Sequence, residues 1–122
     1  IINGLPFETK EMMLETVQYL AEFPISGIKI HMLHVMKDTP LGQMYLEKPF
    51  PLLSLEEYVE ITAEQLRYLP SDIVIHRLTG DAPLNLLIAP EWTKKKFVVL
   101  NEIDKYMRKR NIWQGDKAKC KR

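Results

Sequence analysis

The hydrophobic positions of this chain change period several times, and each change marks an element. From Gly27 to Val35 apolar and polar residues alternate by twos: Ile28, Ile30 and Met32 share one face, Lys29, His31 and Leu33 the other. That pattern predicts a strand covered on one side and partly polar on the other. Upstream, Met13, Val17, Leu20 and Ala21 follow the stripe of an amphipathic helix over about 10–23. Thr9 is its expected N-cap and Pro24 its stop. Ile1 and Ile2, before the turn at Gly4 and Pro6, read as the end of a buried strand. Strand, helix and strand within about 30 residues form a βαβ unit, which predicts parallel strands and a right-handed crossover.

Downstream, Thr39-Pro40 pairs an N-cap with proline at the first helical position and predicts a short helix over 40–47. Ser54-Leu55-Glu56-Glu57 is a capping box opening a helix to about Tyr68, with Tyr58, Val59, Thr62 and Leu66 inward. A further strand follows at Ile73–Leu78, Ile73 and Ile75 on one face, Val74, His76 and Leu78 on the other. If both isoleucine faces pack on helices, His31 and His76 point together to the open side. A long loop then leads to a helix over 94–110, capped by Thr93, with Phe97, Val98, Leu100, Asn101 and Met107 near one face. The expected class is α/β: about three parallel strands with covering helices. Three strands neither close a barrel nor bury both faces. The chain is therefore expected to be a fragment that hides its exposed edge by self-association.

Composition changes this picture little. A chain of 122 residues, 46% hydrophobic and 27% charged, is one ordinary globular domain. No apolar run approaches the roughly 20 residues of a membrane span. The single cysteine, Cys120, has no partner for a disulfide within the chain, so a reducing, cytoplasmic setting is expected. Charge is more informative. Residues 1–93 carry 6 basic and 13 acidic side chains, residues 94–122 carry 11 basic and 3 acidic. Lys94–Lys96 and the segment from Arg108 to Arg122 thus suit RNA or an acidic partner, or serve only as a solvated helix face and a flexible basic tail from about 112. Lys94-Lys95-Lys96 also opposes the dipole of the helix it opens, a local cost that often has a use elsewhere.

The candidate chemistry gathers at strand ends, where α/β proteins place their sites. His31 and His34 have a His-x2-His spacing, but a three-residue offset on a strand puts two rings on opposite faces. Only His76 would then join His31, which is short of the three or four ligands of a zinc site, so no metal site is expected. His76 and His31 are candidate catalytic or substrate contacts. Arg77 and Asp81 end the last strand, where they suit a substrate anion or a loop salt bridge equally. Asn3 either caps the first turn or bonds a ligand.

Ile2-Asn3-Gly4-Leu5-Pro6-Phe7-Glu8-Thr9, the strand at 27–40 and Asp72-Ile73-Val74-Ile75-His76-Arg77-Leu78-Thr79-Gly80-Asp81, with Trp113-Gln114-Gly115, carry a resemblance over nearly the whole chain. It resembles the C-terminal part of a radical S-adenosylmethionine (SAM) protein, in a bacterial group of Fe–S oxidoreductases. The resemblance implies the last three units of a partial (β/α)6 barrel of TIM type. It implies a parent that uses S-adenosylmethionine and a [4Fe–4S] cluster held by a Cys-x3-Cys-x2-Cys loop. That loop is absent here, so the chain alone is expected to be inactive. By the same likeness His31, Met32 and Leu33 would line the adenine pocket with His34 at its mouth. From their places at the strand ends, Asn3 and Gly4 are candidates to contact the cofactor, and His76 and Arg77 the substrate. Relatives modify tRNA, which keeps an RNA substrate open beside a small molecule. One departure stands out: the family usually has glycine where this chain has Phe7, which implies a changed turn or a strained backbone.

Overall fold

A computed structural model describes residues 1–118; Cys120 and the last basic residues lie outside the described residues. The protein is a mixed α/β structure of small sheets and helices. In chain order the elements are β1 (Ile2–Asn3), α1 (Lys10–Leu20), β2 (Gly27–Lys29), β3 (His31–Met32), β4 (Val35–Met36), α2 (Pro40–Glu47), α3 (Leu55–Tyr68), β5 (Val74–Arg77), β6 (Leu87–Ala89), a 3-10 turn (Glu91–Lys94) and α4 (Lys96–Arg110).

β2 and β3 are two halves of one central strand that changes partner. Gly27, Ile28 and Lys29 pair in parallel with β5, while His31 and Met32 pair in parallel with β1. Ile30 joins them: its N–H donates to the Arg77 carbonyl at 2.9 Å, and the next N–H, of His31, donates to the Ile1 carbonyl on the other side. Alternate residues of a parallel strand bond to alternate edges, so one short strand serves both neighbours. The alternation read from the sequence holds here. Ile28, Ile30 and Met32 are buried beneath the helices, whereas Lys29 is exposed and His31 half-buried.

α3 is the helix around which the rest packs, lying against both α1 and α4. Its capping box forms as expected, Ser54 accepting from the Glu57 N–H and Glu57 from the Ser54 N–H. Tyr58, Val59, Thr62 and Leu66 are all buried. The Tyr58 hydroxyl donates to the Leu78 carbonyl at 2.7 Å and fastens the end of β5 to this helix. The caps at Thr9 and Thr39 also form.

Four expectations change. The loop after β5 holds a strand: β6 returns to pair antiparallel with β4, so the strands are not all parallel. The alternating signal there is three residues long, too short to register against proline on both flanks. The last helix starts later, at Lys96, because Thr93 belongs to the 3-10 turn and its hydroxyl donates to the Pro90 carbonyl instead of capping. Its buried residues are Val99 and Ile103, with Met107 packed against the core as expected and Phe97 exposed at 75%. Finally, residues 112–118 are not a loose tail. The Gly115 and Lys117 N–H groups donate to the Leu66 and Arg67 carbonyls, and Asp116 pairs with Arg67 at 2.8 Å. Gln114 donates to the carbonyls of Pro70 and Ile73, so this segment straps the end of α3 to the start of β5. Net basic charge suggests solvation, but backbone donors that find buried carbonyls override it.

Candidate site at the strand ends

The first turn, Gly4 to Thr9, leaves β1 with two positive-φ residues, Gly4 at 99° and Phe7 at 68°. Phe7 thus takes the backbone expected of glycine, at a cost of about 1 kcal/mol, with its ring 88% exposed. Gly4 is a buried turn residue: a Cβ there would lie 3.2 Å from Leu53 Cδ1 and 3.8 Å from Leu33 Cβ. Asn3 turns to the helix side. Its Nδ2 donates to Gln65 Oε1 at 2.7 Å and Gln65 Nε2 returns a bond to Asn3 Oδ1 at 2.9 Å, with Thr62 Oγ1 and the Met13 carbonyl completing the set. A side chain committed in this way anchors β1 to α3 and has no amide left for a ligand.

The two histidines come together, against the strand-geometry expectation. A Cβ on Gly80 would lie 2.9 Å from His34 Cε1 and 3.2 Å from His31 Nδ1, so both imidazoles rest on the same glycine. The reason is local: regular strand ends at Met32, and the chain turns through Leu33 and His34 before β4, so alternation no longer separates the rings. The Gly80 N–H also donates to Met32 Sδ at 3.2 Å, which fixes the loop over this strand end. Leu33 is buried beside Gly4. Gly80 is thus the hub, and its signal in the sequence was only a glycine just after a strand.

His76 does not join them. Its ring lies over Gly27, where a Cβ would meet Nε2 at 2.4 Å, four strand residues before His31, about 13 Å away. The bulge between Ile28 and Lys29 shifts the register of β5 and leaves His76 exposed at the start of the sheet. Arg77 does reach the strand ends, paired with Asp81, whose other oxygen lies 3.1 Å from Lys96 Nζ.

Electrostatics keep this region short of protons. Burial pushes the His31 imidazole below its ordinary value, the positive charge of Arg77 adds to this, and Asp81 works against it. Burial lowers His34 as well, helped by His31 and opposed by Asp81. Two buried side-chain atoms among the described residues lack a hydrogen-bond partner: His31 Nε2 and Glu8 Oε1. Both belong to segments at the C-terminal ends of the central strands. An orphaned polar atom costs about 1–3 kcal/mol, a cost that a bound ligand relieves. Among the described residues no group of three or more His, Cys, Asp or Glu side chains is placed to hold a metal ion. A cavity of about 1010 Å³ lies elsewhere, lined by Tyr19, Phe23, Tyr68 and Lys117, away from this chemistry. No helix among the described residues is long and apolar enough to cross a membrane.

The Radical_SAM C-terminal domain matches residues 25–109, from the approach to the central strand to the end of α4. The protein YtqA of Bacillus subtilis is 42% identical over 115 residues, covering 94% of this chain and 36% of its own length. MJ0486 of Methanocaldococcus jannaschii is 31% identical, covering 94% of this chain and 36% of its own length. The chain thus spans about a third of the curated relatives it matches. The archaeal Elp3 of Methanocaldococcus infernus, solved with an N-terminal deletion, superposes with a TM-score of 0.79 over 93% of this chain and 26% of its own. At 22% identity the two share a fold. The chain belongs to the radical SAM family, of which it carries the C-terminal domain.

Proposed function

We propose that this chain is the C-terminal half of a partial (β/α)6 barrel, in a cytoplasmic enzyme that cleaves S-adenosylmethionine reductively and abstracts hydrogen from a substrate. The family implies S-adenosylmethionine and a [4Fe–4S] cluster in the whole protein. The cluster does not fit this chain's own residues: they include one cysteine, and three thiolates are needed. The upstream part of the parent would supply that loop.

S-adenosylmethionine fits better. The observation that carries the reading is the orphaned His31 Nε2, beside His34 at the Gly80 hub and in a neutral form that accepts a hydrogen bond. His31 and His34, with the apolar support of Met32 and Leu33, would form one wall of the adenosine pocket. Arg77 would face the substrate. Asn3, committed to Gln65, is left out of the pocket, and so is His76.

Alone, the chain would be inactive. It would self-associate through the open face, where Ile2 and Val74 are 47% and 55% exposed.

The test is reconstitution of the full-length protein with iron and sulfide. The expected results are a cluster absorbance and 5′-deoxyadenosine formation, with S-adenosylmethionine binding weakened about tenfold by His31→Ala, the effect of one good hydrogen bond. Absence of both cluster and deoxyadenosine defeats the reading. The RNA-binding reading has less support, because the described basic side chains are largely engaged. Arg108 pairs with Asp104 at 2.9 Å, Lys94 with Glu91 at 3.0 Å, and Arg110 stacks 3.6 Å over the Tyr106 ring.

A further inference from the structure

One carboxylate in the loop after β5 is held by two cations, one at the end of that strand and one at the start of α4. Arg77 Nη2 bonds Asp81 Oδ2, and Lys96 Nζ, at the start of α4, lies 3.1 Å from Oδ1. The Arg77 bond first, and the Lys96 bond second, hold the Asp81 carboxyl below the usual carboxylate range. The His31 and His34 imidazoles rest on the adjoining Gly80, and both feel the Asp81 charge. Two cations, one from β5 and one from the start of α4, therefore hold a single acid beside the two imidazoles.

Fold stability does not account for this arrangement. Asp81 is 60% exposed, Arg77 36% and Lys96 39%, and ion pairs so open to water contribute little to stability. Lys96 meanwhile stands in the first turn of α4, which has no acidic residue and no side-chain cap, so its charge works against the helix dipole there. The lysine is poorly placed for its own helix and well placed for an anion at the mouth of the strands. Asp81 is also easily moved. It is exposed and stands on a loop after Gly80, outside any helix or strand.

We propose that Arg77 and Lys96, with His31 and His34 at the rim, form an oxyanion seat for a phosphate or carboxylate group of the substrate, and that Asp81 fills this seat until the substrate displaces it. Assigning the anion to the substrate rests on the enzymatic reading above; the seat itself stands on the geometry of the Arg77 and Lys96 cations about Asp81. An internal competitor lowers the apparent affinity by the fraction of time it is seated. Removing the competitor's charge therefore strengthens binding, whereas removing a cation weakens it.

This opposition of sign is the test. Inorganic phosphate is titrated calorimetrically into the full-length protein and into its Asp81→Asn, Arg77→Gln and Lys96→Gln variants, with acetate as the parallel titrant. Asp81→Asn should bind phosphate about tenfold more tightly than the parent, and each cation variant about tenfold more weakly. Tight binding of phosphate alone identifies a phosphorylated substrate; equal binding of acetate identifies a carboxylate. Asp81→Asn binding neither anion more tightly than the parent overturns the proposal and leaves a plain salt bridge. Asp81→Asn decides the matter even if a cation variant misfolds. The titration needs neither cluster nor S-adenosylmethionine, so its outcome and that of the deoxyadenosine assay are read separately.

Discussion

The two sides of β1 and the central strand follow opposite rules. On the helix side, Asn3, Thr62 and Gln65 are fully buried, and the Asn3 and Gln65 amides exchange reciprocal bonds. At the strand ends, a few residues away, Glu8 Oε1 and His31 Nε2 are buried without partners, and Phe7 holds a backbone suited to glycine. The first region has spent its polar groups on the fold. The second keeps unsatisfied groups and local strain, a pattern that accords with the proposed ligand site. On the proposed reading, stability and ligand chemistry are divided between two sides of the same short strands.

The sharpest way to break this comparison is Gln65→Ala. It leaves the buried Asn3 amide with unpaired groups and opens a cavity, and should cost about 3 kcal/mol in urea unfolding. A loss under about 1 kcal/mol would mean that the amide pair does not anchor β1. The counterpart at the strand ends is His31→Leu, which removes an orphaned nitrogen. It should leave stability unchanged or raise it by about 0.5–1 kcal/mol in the same experiment, while impairing cofactor binding in the full-length protein.

The smallest effect is on pH dependence. His31 and His34 titrate below their ordinary value in the fold, so the unfolded chain takes up their protons first as pH falls. The stability present above about pH 6.5, the unfolded imidazole value, should be lost as pH falls through the lower folded values. The urea midpoint should drop over that window, and the double variant His31→Leu, His34→Leu should flatten the drop. An unchanged slope would place the proton uptake on other groups.

Much of the helix side was legible in the sequence. Caps at Thr9, Thr39 and Ser54 are local signals, completed by residues three positions away, and the buried face of α3 follows from periodicity. The start of α4 was misread because Thr93 looks like a cap, whereas it belongs to a 3-10 turn that precedes the helix. The departure from the family turn was visible as Phe7, and the structure resolves it as backbone strain. The convergence of His31, His34 and Gly80 was not legible. Alternation predicts faces only while a strand continues, and here it stops at Met32.

By itself the sequence determined the half-covered central strand, the βαβ order, the helix starts marked by side-chain caps and the family resemblance, because each depends on residues close together in the chain or on a linear motif. Tertiary structure alone decided which polar groups are spent and which stay unsatisfied. Asn3 finds Gln65 across 62 positions and Lys96 finds Asp81 across 15. Such partners are chosen by the packing of helix on strand, and no periodicity in either segment encodes them.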